Sequence, residues 1–305
     1  MVSHKVNEIA STAYAGWLRE DATVEEMRVG FDRMCPEPPA EGSVTPAQVG
    51  GINGLWIRGP WSEGTTILHF HAGGYLIGSP TSHRDLAARI GRAARAQVFV
   101  ADYRLAPENP FPAAFDDGVA AYRGILADGV DPSSLVVSGD SAGGGLALAV
   151  MAAARDCGDP LPAVGVLMSP WADLTLSGDS MSAREPMDPL VSRAVLTEMQ
   201  QGYLQGADPA DHRASPLLGN LAGLPPLLVQ VGSSEVLEDD AVRIADGVLR
   251  AGGDAVLQIG YEMVHVFQMF ADQLPDADRA IDQIGAYVRA RVRSAGSVPL
   301  TSPRS

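Results

Sequence analysis

"VVSGDSAGGGLALAV", the stretch from Val136 to Val150, places one serine between an apolar run and a segment rich in alanine and leucine. This serine, Ser141, has Gly139 and Gly143 two positions to either side. A strand, a sharp turn and a helix in this order form a nucleophile elbow, in which the serine adopts a strained backbone conformation and needs small neighbours. The helix N-terminus also directs unpaired N–H groups towards developing negative charge. A glycine-rich turn that only packs tightly, or that holds a phosphate, is the alternative at this point.

The chain as a whole alternates between short apolar runs and segments with helical spacing. This alternation predicts a mostly parallel sheet with helices on both faces, and therefore an α/β fold. The predicted strands are residues 65–71, 97–103, 134–140, 163–171, 227–234 and 254–261, and the predicted helices include those beginning at His83, Phe115, Leu146 and Asp239.

Two segments interrupt the alternation. Residues 1–45 have the pattern of two helices and end in a proline-rich stretch. Residues 174–213 follow a predicted strand with a loop and then a helix. An insertion after a strand, over the carboxyl ends of the other strands, would form a lid. The last residues, 295–305, have the composition of a flexible tail.

Composition and charge narrow the class of protein. The 305-residue chain is 46% hydrophobic and 19% charged, which indicates a packed globular protein. Its formal net charge of -15 repels phosphate backbones, so we expect no nucleic-acid partner. The two cysteines, Cys35 and Cys157, form no CxxC pattern, which favours a reducing, cytoplasmic setting. Neither a signal-peptide core nor an apolar run of spanning length is present, so we expect no membrane insertion.

A serine hydroxyl becomes a nucleophile only with a base, an acid that orients the base, and an oxyanion site. In a hydrolase of this architecture the chain order is serine, acid, histidine. Only His212 and His265 follow Ser141. His265 comes just after the last predicted strand, at the same sheet edge as the elbow, whereas His212 ends the inserted segment and is expected to face solvent. We therefore predict that His265 is the base; a histidine that only packs is the alternative.

Four acidic residues follow the predicted strand LLVQVG. Glu235 comes first and lies at the carboxyl end of the strand. Glu238, Asp239 and Asp240 fall at the start of the next predicted helix, where acidic residues commonly interact with the helix dipole. Glu235 is therefore the predicted acid, and Asp239 is the alternative.

The stretch HFHAGGY ends the first strong strand and supplies the third requirement. Backbone N–H groups of Gly73 and Gly74, together with that of Ala142, could form a three-donor oxyanion hole. His69 and His71 also suggest a metal site, but no third ligand of suitable type and spacing accompanies them, so we predict no metal.

Taken together, these motifs resemble those of the hormone-sensitive-lipase-like carboxylesterases, the bacterial family IV branch of the α/β-hydrolases. The stretches YRLAPENPFPAAFDD, SPWADL and ASPLL also resemble segments of this family, and the resemblance covers nearly the whole chain. The resemblance implies an α/β-hydrolase fold with a mostly parallel eight-stranded sheet and a helical cap. The implied division is 1–45 and 174–213 for the cap, and 46–173 and 214–294 for the catalytic domain.

The resemblance also implies an activity: hydrolysis of small carboxylic esters with short to medium acyl chains, without a cofactor. By position, Ser141 matches the nucleophile and His265 the base, and the acid and oxyanion donors match the residues named above. A homodimer formed through an edge strand is suggested as well. Three positions depart from the family pattern: Ala72 replaces the first glycine of HGGG, Glu235 replaces an aspartate, and Val266 stands where glycine commonly follows the histidine.

Two other functions use the same scaffold. A receptor-like protein, similar to the plant gibberellin receptors, would bind a ligand without the working histidine, and an amidase or peptidase would use the same triad. Asp140 is expected to form local hydrogen bonds at the turn. Candidate substrate contacts, each with ordinary packing as its alternative, are Trp17, Phe31, Tyr75, Met187, Leu190 and Tyr203.

Overall fold

The computed structural model describes residues 4–15, 22–34 and 41–292. Eight strands within these ranges form one sheet. Their bounds are β1 Ser43–Val49, β2 Ile52–Arg58, β3 Thr65–Phe70, β4 Ala96–Ala101, β5 Leu135–Asp140, β6 Val164–Met168, β7 Leu227–Gly232 and β8 Ala255–Gly260. Trp17 and the predicted tail at 295–305 lie outside the described residues.

The strand order is β1-β2-β4-β3-β5-β6-β7-β8. Both pairs formed by β2 are antiparallel, and every other pair is parallel. All six predicted strands are confirmed, and so is the mostly parallel eight-stranded sheet. The strand pattern did not reveal β1 and β2. Strand β1 begins at Ser43, so the sheet starts inside the segment that the sequence assigned to the cap.

Helices cover the sheet on both faces. Their bounds are α1 His4–Ala15, α2 Val24–Met34, α3 Arg84–Ala94, α4 Ala113–Ala127, α5 Ala142–Cys157, α6 Ser180–Ala183, α7 Arg193–Leu204, α8 Glu238–Arg250 and α9 Pro275–Arg291. Short 3-10 turns occur at Pro132–Ser134, Pro216–Leu218 and Phe267–Phe270. The four helices expected from the pattern correspond to α3, α4, α5 and α8.

Two apolar clusters, one on each side of the sheet, form the core. Neighbouring residues of β5 show the division, because Val136 packs in the cluster with α3 and α9 while Val137 packs in the cluster with α4, α5 and α8. Successive side chains of a strand point to opposite faces, so a strand covered on both sides is buried along its whole length and is mostly apolar. All six positions of β5 are accordingly buried.

The sheet ends in β8 on the side away from β1. Ile259 is 47% exposed and Tyr261, just beyond the strand, is 80% exposed. The dimer through an edge strand stays a prediction. In the part of the chain that is described, no helix combines the length and the apolar character that a membrane crossing requires.

The packing of α5 generates a stability prediction. Leu148 of α5 is 0% exposed, whereas Leu249 of α8 is 54% exposed. We expect Leu148→Ala to lower the free energy of unfolding by about 2–5 kcal/mol, because it leaves a cavity in a close-packed core. Urea unfolding measures this change. The matched variant Leu249→Ala should alter stability by no more than about 0.5 kcal/mol, and equal losses in both variants would contradict the assignment of α5 to the core.

Candidate active site

Backbone contacts define the turn that carries Ser141. The turn joins β5 to α5, and Ser141 has φ 53° and ψ -122°, a conformation that L-residues rarely adopt. A Cβ at Gly139 would overlap the carbonyl of Gly143, and a Cβ at Gly143 would overlap the carbonyl of Phe70. The Ser141 N–H donates to the Met168 carbonyl oxygen at 2.9 Å. Only glycine fits two positions before and two positions after this serine, as the elbow requires.

Three side chains from distant parts of the chain meet at the turn. The Ser141 hydroxyl lies 2.9 Å from His265 Nε2, across 124 positions of sequence. On the other side of the ring, His265 Nδ1 lies 2.7 Å from Glu235 Oε2. All three residues are buried. The arrangement allows the imidazole to accept the serine proton while its Nδ1–H donates to the carboxylate.

Burial and charge act in opposite directions on the pKa of His265. Burial alone would lower it, because a desolvated imidazolium is unfavourable. The hydrogen bond and negative charge of Glu235, together with the charges of Asp188 and Asp140, outweigh burial and raise the pKa above its ordinary value. Glu235 therefore favours the protonated form of the imidazole.

Ser169, which the sequence interpretation missed, connects Glu235 with the loop of His265. Its hydroxyl donates to Glu235 Oε1 at 2.8 Å and accepts the Val266 N–H at 3.1 Å. The Gly232 N–H donates to the same carboxylate oxygen at 2.5 Å. Ser169 is the first residue of the stretch SPWADL, and the resemblance of that stretch to the family is the one sequence signal that could have indicated this serine.

The other acidic residues after β7 have different partners. Asp239 Oδ2 accepts the backbone N–H of Ser180 at 2.8 Å. Glu238 pairs with Arg184 at 2.5 Å. Asp240 accepts two backbone N–H groups of the loop after β6, and burial raises its pKa to about 7. Of the four candidate acids, Glu235 is thus the one hydrogen-bonded to the imidazole.

The loop after β3 provides backbone donors beside the serine. Gly73 has φ 123° and Gly74 has φ 60°, and both line the same cavity as Ser141. Ala142 is the first residue of α5, so its N–H has no acceptor within the helix. Ala72, which replaces the first family glycine, is not among the positive-φ residues of the described chain, so its Cβ is compatible with the loop.

Asp140 makes longer-range contacts than the local turn bonds expected from the sequence. It is fully buried, with one oxygen 3.1 Å from His83 Nε2 and the other 3.2 Å from His69 Nε2. Burial by itself would raise the pKa of Asp140, but the two imidazoles outweigh it and lower the pKa. His83 Nε2 also lies 3.1 Å from the N–H of Ala72. His83 therefore connects Asp140, the residue before Ser141, with the loop after β3.

The two histidines that suggested a metal site have protein partners. His69 Nδ1 lies 2.8 Å from the Ser138 hydroxyl, and His71 Nδ1 donates to the Ala72 carbonyl at 2.8 Å. Within residues 4–15, 22–34 and 41–292, no three His, Cys, Asp or Glu side chains are grouped in a way that could hold a metal ion.

An apolar cavity of about 60 Å³ lies above Ser141 and His265. Phe31 and Leu190, two of the predicted contacts, line it. Its wall also includes Tyr14, Trp171, Val191 and Met199, which the sequence interpretation did not select. A larger cavity of about 500 Å³ shares four lining residues with it, so the two adjoin.

The remaining candidate contacts lie elsewhere. Tyr75 and Tyr203 stack on each other with ring centroids 4.0 Å apart, and both are buried. They support the loop after β3 from the core and do not line the described cavity. Met187 lies in the loop between α6 and α7, also outside that lining. Aromatic residues beside a site often pack inward, which sequence position cannot show.

The chain is similar to known hydrolases in sequence and in structure. A family model described as an alpha/beta hydrolase fold matches residues 67–269. An acetyl-hydrolase from Streptomyces hygroscopicus is 42% identical over 292 residues, 95% of this chain and 97% of the relative. A crystal structure of an esterase from the bacterial hormone-sensitive lipase family has a TM-score of 0.92 and 40% identity, covering 96% of this chain and 100% of that one.

A third similar protein is also known from its crystal structure. The structure of EstE5 soaked with p-nitrophenyl butyrate has a TM-score of 0.90 and 39% identity, and covers 95% of this chain and 99% of that one. The family match spans well over half of the chain, and the relatives cover almost all of it. The chain therefore belongs to the α/β-hydrolases, and within them to the bacterial hormone-sensitive lipase family, as a carboxylesterase.

Proposed function

We propose that this esterase hydrolyses carboxylic esters with short to medium acyl chains through a Ser141–His265–Glu235 triad and an acyl-enzyme intermediate. The observation that carries the proposal is the continuous hydrogen-bonded line from serine to imidazole to carboxylate beside an apolar cavity. The names of the similar proteins, an acetyl-hydrolase and an esterase soaked with a butyrate ester, support small acyl groups.

Acylation is the first stage. His265 Nε2 accepts the proton of Ser141 while the hydroxyl oxygen attacks the ester carbonyl carbon. The N–H groups of Gly73, Gly74 and Ala142 donate to the oxyanion, and one such donor commonly contributes about a hundredfold or more to the rate. The imidazolium then gives its proton to the departing alcohol as the carbon–oxygen bond breaks.

Deacylation repeats the same proton transfers with water. His265 accepts a proton from the water that attacks the acyl-enzyme carbonyl and returns it to the Ser141 oxygen, which releases the carboxylic acid. Glu235 keeps the imidazole in one orientation and stabilises its charge in both stages. No cofactor enters this sequence.

The cap is part of the same proposal. We place α1 and α2, together with residues 174–213, over the carboxyl ends of the strands. Tyr14 of α1 and Phe31 of α2 line the catalytic cavity together with Leu190 of the insertion. These segments thus supply much of the apolar wall that the acyl chain would contact.

Replacement of the nucleophile tests the mechanism directly. We expect Ser141→Ala to reduce kcat for p-nitrophenyl butyrate by several orders of magnitude, because only oxyanion donors and binding contacts remain, which typically leave about 10³–10⁴-fold over water. Steady-state hydrolysis, with covalent labelling by a fluorophosphonate, measures the loss. The control Ser182→Ala changes an exposed serine of α6 and should behave as wild type. Full activity in Ser141→Ala would refute the mechanism.

The pKa of His265 gives a second prediction. Glu235→Gln removes the charge that supports the imidazolium, so the pKa of His265 falls and neutral imidazole persists to lower pH. The acid limb of the kcat/KM profile should therefore move to lower pH, while kcat falls by about 10²–10⁴-fold because the ring loses its orientation. The control Glu63→Gln, at an exposed position, should leave the profile in place. An acid limb that moves to higher pH would contradict this role of Glu235.

Acyl-chain preference can be tested with p-nitrophenyl esters from acetate to dodecanoate. A cavity of about 60 Å³ should favour the shorter chains. Leu190→Ala shortens a side chain of the wall and so enlarges the cavity. It should raise kcat/KM for longer acyl chains, relative to acetate, by about fourfold for each additional methylene that the cavity can hold. The control Leu218→Ala makes the same change at a residue that is 42% exposed. A wild-type preference for dodecanoate would show that this cavity does not bind the acyl chain.

A further inference from the structure

Asp188 lies in the inserted segment between α6 and α7, where one carboxylate joins two parts of the site. Its Oδ1 accepts the backbone N–H groups of Leu190 and Val191, both at 2.9 Å. Its Oδ2 accepts the N–H of Val236 at 3.0 Å, across 48 positions of sequence. Asp188 therefore folds its own loop with one oxygen and binds a different segment of the chain with the other.

Both sets of partners belong to the catalytic region. Leu190 and Val191 line the cavity above the serine. Val236 directly follows Glu235, whose carboxylate is hydrogen-bonded to His265 at 2.7 Å. The cavity wall and the acid of the triad are thus linked through a single side chain of the insertion.

The charge of Asp188 acts on the imidazole as well. Burial raises the pKa of Asp188, while its three backbone bonds and the charge of His265 favour the carboxylate. The negative charges that act on His265 are those of Glu235, Asp188 and Asp140. Against the effect of burial, they raise its pKa in that order of contribution. Asp188 is the one among them that comes from the inserted segment.

We propose that Asp188 is a positioning residue that fixes the cavity wall relative to the triad acid and stabilises the imidazolium of His265 during ester hydrolysis. This inference rests on the proposed Ser141–His265–Glu235 mechanism. It adds to that mechanism a carboxylate from the insertion that does not touch the reacting atoms. The position of the cavity wall and the orientation of His265 then both depend on the Asp188 carboxylate.

The isosteric variant Asp188→Asn removes the negative charge of the side chain but keeps its shape. Asparagine can accept the two loop N–H groups through its oxygen, but its NH₂ group cannot accept the N–H of Val236. It also carries no charge. We expect kcat/KM for p-nitrophenyl butyrate to fall about ten- to a hundredfold, mainly through kcat, because small displacements of aligned groups have effects of this size. The acid limb of kcat/KM should move to lower pH by roughly half a unit, since a nearby negative charge is lost.

Two further variants complete the experiment. Asp188→Glu keeps the charge but lengthens the side chain, so its acid limb should stay at the wild-type pH while kcat/KM remains reduced. Asp179→Asn removes an exposed carboxylate from the same insertion and should match wild type in both respects. Thermal unfolding of every variant identifies any loss of activity that comes from a loss of fold.

Each outcome bears on the proposal. A lowered acid limb in Asp188→Asn, absent from Asp188→Glu and Asp179→Asn, supports it. It is wrong if Asp188→Asn has the wild-type kcat/KM and profile, or if Asp188→Glu shows the same pH shift as Asp188→Asn. Failure of the triad mechanism would appear differently, as retained ester hydrolysis in Ser141→Ala.

Discussion

The contact of backbone with backbone at the elbow is the constraint on which the rest of the site depends. Gly139 and Gly143 bring β5, α5 and the end of β3 so close that no Cβ fits between them, and this approach forces Ser141 into its unusual conformation. Parallel strands then align the other groups, because their carboxyl ends share one sheet edge. Strand β7 leads to Glu235 and β8 leads to His265.

The apolar pattern of the sequence predicted the central strands and also the half-buried edge strand β8, but it did not predict β1 or β2. The central strands are buried on both faces and read as apolar runs, whereas β1 is mostly exposed, contains Pro46 and forms an edge, so its pattern resembles a loop. The chain order of serine, acid and histidine likewise restricted the site to a few candidates. Ser169, His83 and Asp188 could not be found this way, because long-range hydrogen bonds by loop residues leave no periodic signal.

The departures from the family pattern have structural explanations. Glu235, longer than the usual aspartate, still places an oxygen 2.7 Å from His265. Val266 stands where glycine is common and adopts φ 46°, a left-handed conformation that valine disfavours. Its N–H bond to Ser169, which also holds Glu235, offsets part of that cost. Ser169 therefore holds both Glu235 and a strained residue next to His265.

The two kinds of wall around Ser141 differ in how they tolerate change. The side that we propose as the oxyanion site consists of main chain, with glycines and with the buried Asp140, which contacts His69 and His83. The rest of the cavity wall includes side chains of α1, α2 and the insertion. Substitutions replace side chains and leave the main chain in place, so directed evolution of ester preference should change these side chains of the cavity wall. A library that randomises Phe31, Leu190 and Met199 while keeping the turn glycines intact would sample new selectivities with few inactive clones.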